Sequence, residues 1–257
     1  TFWRAAMGAE FASIVYLPSR PVFASGRVLR LHVIRGVLTA FMMLFFFWGL
    51  TQLPLAQAIG LTFVAPIIAL FLAVPMLGER ITPGAKLAAA LGFGGVLIIA
   101  GEEMFQVDEN SSLLGVAAIL IFALMYAFNL ILQRKQALVA KPLEIACYQN
   151  VIMTAVLAIG APFALSLPAD IVQWSAASAA GLLAVLSLVS LSIAYSRAQA
   201  QELVAVEYTA FIWAALFGWW FFDESVGVRT FLGTALIVCG CLISSRKQPL
   251  RPLSDTL

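Results

Sequence analysis

Long apolar runs, separated by short polar joints that contain proline and glycine, follow one another along the whole sequence. A helix that crosses a bilayer needs about 20 apolar residues, and most of these runs approach or exceed that length. The pattern therefore predicts an all-α, polytopic membrane protein with nine spans and short loops. The predicted spans cover about residues 2–18, 31–52, 54–77, 84–101, 112–132, 143–166, 171–194, 203–222 and 228–245.

The charges in successive loops predict how the spans are oriented. Lys and Arg are concentrated in every second loop and in the C-terminal tail, residues 246–257, whereas the remaining loops are mainly acidic. Basic loops stay on the cytoplasmic side of a membrane. The C-terminus is therefore predicted to be cytoplasmic, and residue 1 to lie on the outer side.

The composition excludes several other classes of protein. Of the 257 residues, 62% are hydrophobic and 11% are charged, whereas soluble domains carry about 25% charged residues. The small net charge of +2 argues against a nucleic-acid partner. The chain has three cysteines inside apolar runs and one histidine, His32. A metal site would lack its usual ligands, so we expect neither a metal nor a cofactor.

The sequence resembles itself at a shift of 145 residues. Glu79 falls on Glu224 and Gly95 falls on Gly240, and each half ends with a long span, an acidic turn and a span of small residues. We therefore predict a first repeat at 1–101 and a second repeat at 112–245.

The count of spans adds an expectation about topology. The span at 112–132 has no counterpart within the chain at this shift, so we expect a further helix before residue 1. The intact protein would then have ten helices in two five-helix halves. Because five is odd, the halves insert with opposite orientation, which is the inverted repeat of secondary transporters.

Several segments resemble the EamA family of the drug/metabolite transporter superfamily over essentially the whole chain. The matching segments are Arg35-Gly36, Phe45-Phe46-Phe47-Trp48-Gly49-Leu50, Leu53-Pro54-Leu55-Ala56-Gln57-Ala58, Phe63-Val64-Ala65-Pro66, Leu77-Gly78-Glu79-Arg80, Gly92-Phe93-Gly94-Gly95-Val96, Glu207-Tyr208-Thr209-Ala210-Phe211-Ile212-Trp213-Ala214, Phe222-Asp223-Glu224 and Leu232-Gly233-Thr234-Ala235-Leu236-Ile237. The resemblance implies a transporter in a bacterial inner membrane. Within the family, these motifs are similar to those of branches linked to S-adenosylmethionine or riboflavin uptake, or to metallophore export.

Polar and aromatic side chains within the spans are the candidates for a substrate site. Glu207 stands out, because a carboxylate deep in a span costs about 2.5–3.5 kcal/mol unless it faces protein or water. It is the candidate proton-coupling residue, the alternative being a solvated position near the cytoplasmic end of its span. The further substrate-binding candidates are Arg4, Glu10, Thr62, Tyr126, Asn129, Gln149, Asn150, Tyr208, Phe211 and Trp213.

Other residues have competing interpretations. Arg4 either binds a substrate carboxylate or reaches the membrane interface, and Glu10 is expected to be buried against other helices. Arg35 is interpreted as an interface anchor. Pro66 is expected to kink the third span, because proline removes a helix hydrogen bond. The aromatic side chains either pack between helices or stack on a planar substrate.

Missing motifs narrow the function. The sequence has no phosphate-binding G-x-x-x-x-G-K-[ST] loop for ATP and no G-x-S-x-G nucleophile elbow. We therefore predict a secondary active transporter for a small polar metabolite, not an enzyme, acting as a monomer or homodimer. The alternatives are a flippase for a lipid-linked group and, from another class, a membrane-embedded enzyme.

Overall fold

The computed structural model describes residues 2–19, 23–53, 58, 61–78, 81–105, 113–164, 167–209, 213, 216, 220 and 228–245. The regular structure in these residues is helical, which confirms the all-α prediction. The helices are α1 (Phe2–Tyr16), followed by a 3-10 turn (Leu17–Ser19), α2 (Gly26–Leu50), α3 (Val64–Leu77), α4 (Pro83–Phe105), α5 (Leu113–Ala137), α6 (Pro142–Ala164), α7 (Ile171–Arg197), α8 (Ala200–Glu207) and α9 (Val228–Ser245).

Four helices within the described residues are long and apolar enough to cross a membrane. They are α2, α5, α7 and the Pro142–Gly160 part of α6, while α3 and the Pro83–Ile98 part of α4 are apolar but shorter. The predicted span at 203–222 is described only in part, because α8 ends at Glu207 and most of the remainder lies outside the described residues.

Local sequence explains where several helices begin and end. Gly78 closes α3 in the left-handed conformation at φ 70°, which favours glycine. Thr82 precedes α4 and its hydroxyl accepts a hydrogen bond from the Ala85 amide at 3.1 Å. Pro66 lies in the first turn of α3, where its missing N–H has no partner in the helix. A turn at Phe63 separates α3 from the helical residues 61–62, three residues before Pro66, so the expected kink stays a prediction.

The start of α7 provides a measurable contribution to stability. The Asp170 carboxylate accepts a hydrogen bond from the Gln173 amide at 2.8 Å, whereas Ser25 at the start of α2 makes no such side-chain bond. We expect Asp170→Ala to lower the unfolding free energy by about 1 kcal/mol, and Ser25→Ala to leave it unchanged. Unfolding of both variants in mixed micelles tests this, and equal effects would contradict the assigned cap.

The helices pack around cores of small and aliphatic side chains. Helix α1 packs on α6 and α7, α2 packs on α5 and α6, α3 packs on α5, and α4 lies along α9. In the largest core, Ala65, Ala69 and Ala73 of α3 meet Ala123 and Ala127 of α5. Small residues on facing stripes allow two helix backbones to approach closely.

Helices α4 and α9 cross at backbone contact. A Cβ added at Gly95 would lie 2.5 Å from the Gly233 carbonyl oxygen, and one added at Gly240 would lie 2.9 Å from the Ala88 carbonyl oxygen. Gly240 follows Gly95 by 145 residues, and Gly233 follows Ala88 by the same number. The two contacts therefore join positions that correspond under the predicted repeat.

Two other interfaces repeat in the same way. A Cβ at Gly36 of α2 would meet the Ile152 side chain of α6, and a Cβ at Gly181 of α7 would meet the Met7 side chain of α1. Gly181 follows Gly36, and Ile152 follows Met7, by 145 residues. The α2–α6 and α1–α7 interfaces are thus formed by corresponding positions of the two halves.

Candidate functional site

A buried arginine marks the most polar place in the described bundle. Arg35 lies on α2, one turn after His32, and is 2% exposed. The interpretation of Arg35 as an interface anchor was therefore wrong, because its side chain points between helices and not along them towards water. A cation inside a bundle is costly unless hydrogen bonds replace its hydration.

Three amide side chains of α5 provide those hydrogen bonds. The Arg35 guanidinium donates from Nε to Asn129 Oδ1 at 2.9 Å, from Nη1 to Gln136 Oε1 at 2.7 Å, and from Nη2 to Gln133 Oε1 at 2.9 Å. The Thr39 hydroxyl donates to the Arg35 carbonyl oxygen and also lies 3.3 Å from Asn129 Oδ1. The guanidinium thus joins α2 to α5 through all three of its nitrogens.

His32 extends the same group of polar side chains to α6. Its Nδ1 lies 3.0 Å from Gln136 Nε2, and its Nε2 lies 3.1 Å from Glu144 Oε1. The Tyr148 ring stacks on the imidazole, with centroids 4.6 Å apart and planes at 14°. The Tyr148 hydroxyl accepts a hydrogen bond from the Ala24 amide at 3.1 Å, which holds the ring in place.

The charges of this group are separated along a chain of contacts. Among the described residues, no carboxylate pairs with Arg35, and its acceptors are neutral amide oxygens. In the described part of the chain, Glu144 connects to Arg35 through His32 and then Gln136. The Arg35 cation and the Glu144 carboxylate are therefore connected by hydrogen bonds through Gln136 and His32, two side chains whose hydrogen-bond directions can be reversed. We call Arg35, Asn129, Gln133, Gln136, His32 and Glu144 the polar cluster.

A second polar position lies where α1, α6 and α7 meet. Gln149 and Asn150 of α6 are buried, and Asn150 Nδ2 donates to the Ala146 carbonyl oxygen at 2.9 Å. A Cβ at Gly8 of α1 would lie 2.7 Å from Asn150 Oδ1. Gln149 Oε1 is buried without a hydrogen-bond partner in the described part of the chain. Arg4 is half-buried on the same helix as Gly8.

Tyr208 is fully buried immediately after α8. Its ring stacks on Phe63 with centroids 5.9 Å apart and planes at 18°, and its hydroxyl lies 3.5 Å from the Phe63 carbonyl oxygen. A Cβ at Gly92 would lie 2.5 Å from the Tyr208 ring. Tyr208 and Phe63 are 145 residues apart, so two corresponding positions of the halves contact each other.

The remaining candidates differ in their exposure. Tyr126 is half-buried and stacks on Phe122 with centroids 5.8 Å apart, and Thr62 is half-buried just before α3. Trp213 is exposed. Phe211 and the side chain of Glu207 lie outside the described residues, although Glu207 is the last residue of α8.

Glu10 is exposed in the structure, so the expectation that it is buried was wrong. The buried face of α1 consists of Ala5, Gly8, Ala12 and Tyr16. Glu10 follows Gly8 by two residues and therefore points about 200° away from this face.

Asn129 is the one member of the polar cluster that the sequence analysis predicts as a site residue; Arg35, His32, Gln133, Gln136 and Glu144 are not among its candidates. A signal was present, because Asn129, Gln133 and Gln136 are spaced at i, i+4 and i+7 on a helix that is apolar from Leu113 to Met125. That spacing places three amides on one stripe. His32 and Arg35 have the matching i, i+3 spacing on α2.

Known proteins with similar sequences are transporters. The riboflavin transporter of Rhizobium johnstonii is 29% identical over 225 residues, covering 86% of this chain and 71% of the relative. The pseudopaline exporter CntI of Pseudomonas aeruginosa PAO1 is 26% identical, covering 96% and 85%. The S-adenosylmethionine uptake transporter of Rickettsia bellii is 26% identical, covering 93% and 82%.

A solved crystal structure has the same fold, with a TM-score of 0.83 at 19% sequence identity over 95% of this chain and 87% of that chain. The model of the EamA-like transporter family matches residues 1–101 and 113–246, as the resemblance of the sequence motifs predicts. Together with the apolar helices, this match indicates a multi-pass membrane protein and a transporter, not an enzyme. The chain belongs to the EamA-like transporter family.

Proposed function

We propose that this protein is a secondary active transporter that moves a small polar metabolite across a bacterial inner membrane. Membership of the EamA-like transporter family carries this proposal. The names of three relatives refer to riboflavin, pseudopaline and S-adenosylmethionine, which supports a small-molecule substrate. The C-terminus faces the cytoplasm in this proposal, as the basic loops indicate.

Alternating access of two inverted repeats is the proposed mechanism. The reciprocal contacts support it, because Gly95 meets the Gly233 backbone while Gly240 meets the Ala88 backbone. Such pairing is expected when a twofold axis relates two halves. Rocking of one half against the other would then expose a site between them to each side of the membrane in turn.

The proposed substrate site uses buried polar and aromatic side chains near the contacts between the halves. Gln149 contributes an acceptor oxygen that has no partner among the described residues, and Asn150 lies beside it. Arg4 is the residue that corresponds to Gln149 in the first half. Tyr208 and Phe63 form the aromatic part of this proposed site, where a planar substrate group could replace one ring of the stack.

Uptake by proteoliposomes tests the proposed function directly. Purified protein is reconstituted, a proton gradient is imposed, and labelled riboflavin, S-adenosylmethionine and amino acids are offered separately. We expect saturable accumulation of at least one compound that stops when the gradient is collapsed. Absence of both accumulation and counterflow for the whole panel would count against a transporter of this substrate class, and movement of a labelled lipid instead would favour a flippase.

Glu207 is the proposed coupling residue, and Glu207→Gln is its test. One proton per substrate across one pH unit supplies about 1.4 kcal/mol, equivalent to about a tenfold accumulation. We expect the variant to lose this accumulation and to keep counterflow in the absence of a gradient. Glu202→Gln, in the first turn of the same helix, is the matched control. If the Glu207 variant accumulates substrate as the wild type does, the carboxylate is not the coupling group.

A further inference from the structure

The hydrogen-bond directions in the polar cluster determine which imidazole nitrogen carries the proton. Arg35 Nη1 can only donate hydrogen bonds, so the Gln136 atom 2.7 Å away must be the acceptor Oε1. The amide nitrogen of Gln136 therefore faces His32 Nδ1, which must accept. His32 is consequently neutral, with its proton on Nε2 directed at Glu144 Oε1.

A second proton on His32 is incompatible with this arrangement. It would bind the lone pair of Nδ1, and the resulting N–H would face the N–H of Gln136. The amide of Gln136 would have to turn over to present its oxygen to His32. Its NH2 group would then face Arg35 Nη1, which would lose its acceptor. One proton therefore removes one of the three hydrogen bonds that join Arg35 on α2 to α5.

Burial of the imidazole opposes a second proton on His32, so binding it depends on a compensating charge. Glu144 of α6 lies 3.1 Å from Nε2 and would compensate the positive charge of the imidazolium, while Arg35 on α2 opposes it from the next turn. Gln136 is the facing side chain of α5, and Tyr148 of α6 covers the ring. The Glu144 side chain is 13% exposed, against 1% for His32, so the carboxylate is the more accessible of the two groups.

We propose that His32 is a proton-operated positioning residue whose neutral form keeps all three Arg35 hydrogen bonds between α2 and α5 and whose protonated form removes one of them and loosens this interface. Proton binding and loosening of the α2–α5 interface favour each other. A proton on Nδ1 turns the Gln136 amide away from Arg35, and an interface that has lost the Arg35–Gln136 hydrogen bond leaves this amide free to accept from Nδ1. The proposal rests on the proposed function only in its consequence for transport. It concerns opening of the bundle and is separate from the driving proton assigned to Glu207.

The imidazole can be observed without any substrate. His32 is the only histidine of the chain, so protein labelled with 15N-histidine in lipid bilayers gives one pair of ring nitrogen signals. We expect the neutral form to carry its proton on Nε2. A neutral form protonated on Nδ1, or an imidazole that fails to bind a second proton between about pH 5 and pH 8, would overturn the proposal even if transport is observed.

Counterflow with equal pH on both sides tests the consequence for transport, because no gradient acts under this condition. Labelled riboflavin and labelled S-adenosylmethionine are the probes. We expect the wild-type rate to change severalfold between about pH 5 and pH 8, and His32→Gln to reduce this change to less than about twofold.

Glu144→Gln is the second variant, because it keeps an acceptor oxygen for His32 Nε2 but removes the charge that compensates an imidazolium. We expect it to fold and to lose most of the pH dependence. Arg30→Gln, an exposed cation on α2, is the matched control and should keep the wild-type profile. A wild-type profile in both His32→Gln and Glu144→Gln, or a wild-type rate independent of pH, would refute the role of His32. Absence of counterflow of both probes in the wild type would instead count against these two substrates, and the nitrogen signals would decide the role of His32.

Discussion

Replacing Arg35 with methionine is expected to lower the unfolding free energy by about 3–5 kcal/mol, the cost of breaking a buried charged network. The side chain of methionine fills much of the same space but donates no hydrogen bond. The oxygens of Asn129, Gln133 and Gln136 would therefore lose their donor inside the bundle. Each buried polar group left without a partner costs about 1–3 kcal/mol. Unfolding in mixed micelles, followed by circular dichroism, measures the change.

Arg30 provides the control for this prediction, because it carries the same charge on the same helix but is exposed. Arg30→Met should change stability by less than about 0.5 kcal/mol. Arg35→Lys should remain destabilising, since an ammonium group lacks the planar fork that reaches three separate oxygens. Equal stabilities of the Arg35→Met and Arg30→Met variants would show that the amide contacts do not hold α2 to α5.

Gly95→Ala is expected to destabilise the protein by about 1–3 kcal/mol, the range for overfilling a packed interface. The added methyl group would lie 2.5 Å from the Gly233 carbonyl oxygen. That oxygen belongs to the backbone of α9 and cannot rotate away, so the two helices must separate. Helix propensity acts in the opposite direction, because alanine is favoured over glycine by about 1 kcal/mol within a helix. The midpoint of thermal aggregation in detergent reports the difference.

The neighbouring residue separates the two effects. A Cβ at Gly94 meets no other atom within 4 Å, so Gly94→Ala should be neutral or slightly stabilising. Gly240→Ala, the counterpart under the repeat, should behave like Gly95→Ala, since its Cβ would lie 2.9 Å from the Ala88 carbonyl oxygen. If Gly94→Ala and Gly95→Ala were equally damaging, the cause would be the helix itself and not its crossing with α9.

Apolar run length and glycine spacing were sufficient to predict much of this fold. Continuous apolar sequence identified α2, α5, α6 and α7, because a long run needs one environment along its whole length. The shift of 145 residues related Gly95 to Gly240 before any contact was known. Both glycines then proved to lie at the α4–α9 crossing. Both signals can be read from the sequence alone, because the length of an apolar run and the position of a glycine do not depend on which helices pack together.

The direction in which a polar side chain points could not be obtained in the same way. Arg35 stands near the start of α2, where an arginine can extend to the membrane surface or turn inwards. The direction of the Arg35 side chain depends on the amide side chains of α5, which lie about 100 residues away in the sequence. Glu10 shows the opposite case, because a mid-helix position does not reveal which face of α1 meets α6 and α7.

The stack of Phe63 on Tyr208 gives the proposed twofold relationship an energetic consequence. If the two halves exchange conformations during transport, a perfectly symmetric pair would make the inward-open and outward-open states equal in energy at this point. The pair differs by one hydroxyl, which lies 3.5 Å from the Phe63 carbonyl oxygen in the described state. In such a carrier the hydroxyl would favour the described state over the opposite one, so Tyr208→Phe should shift the resting population between them.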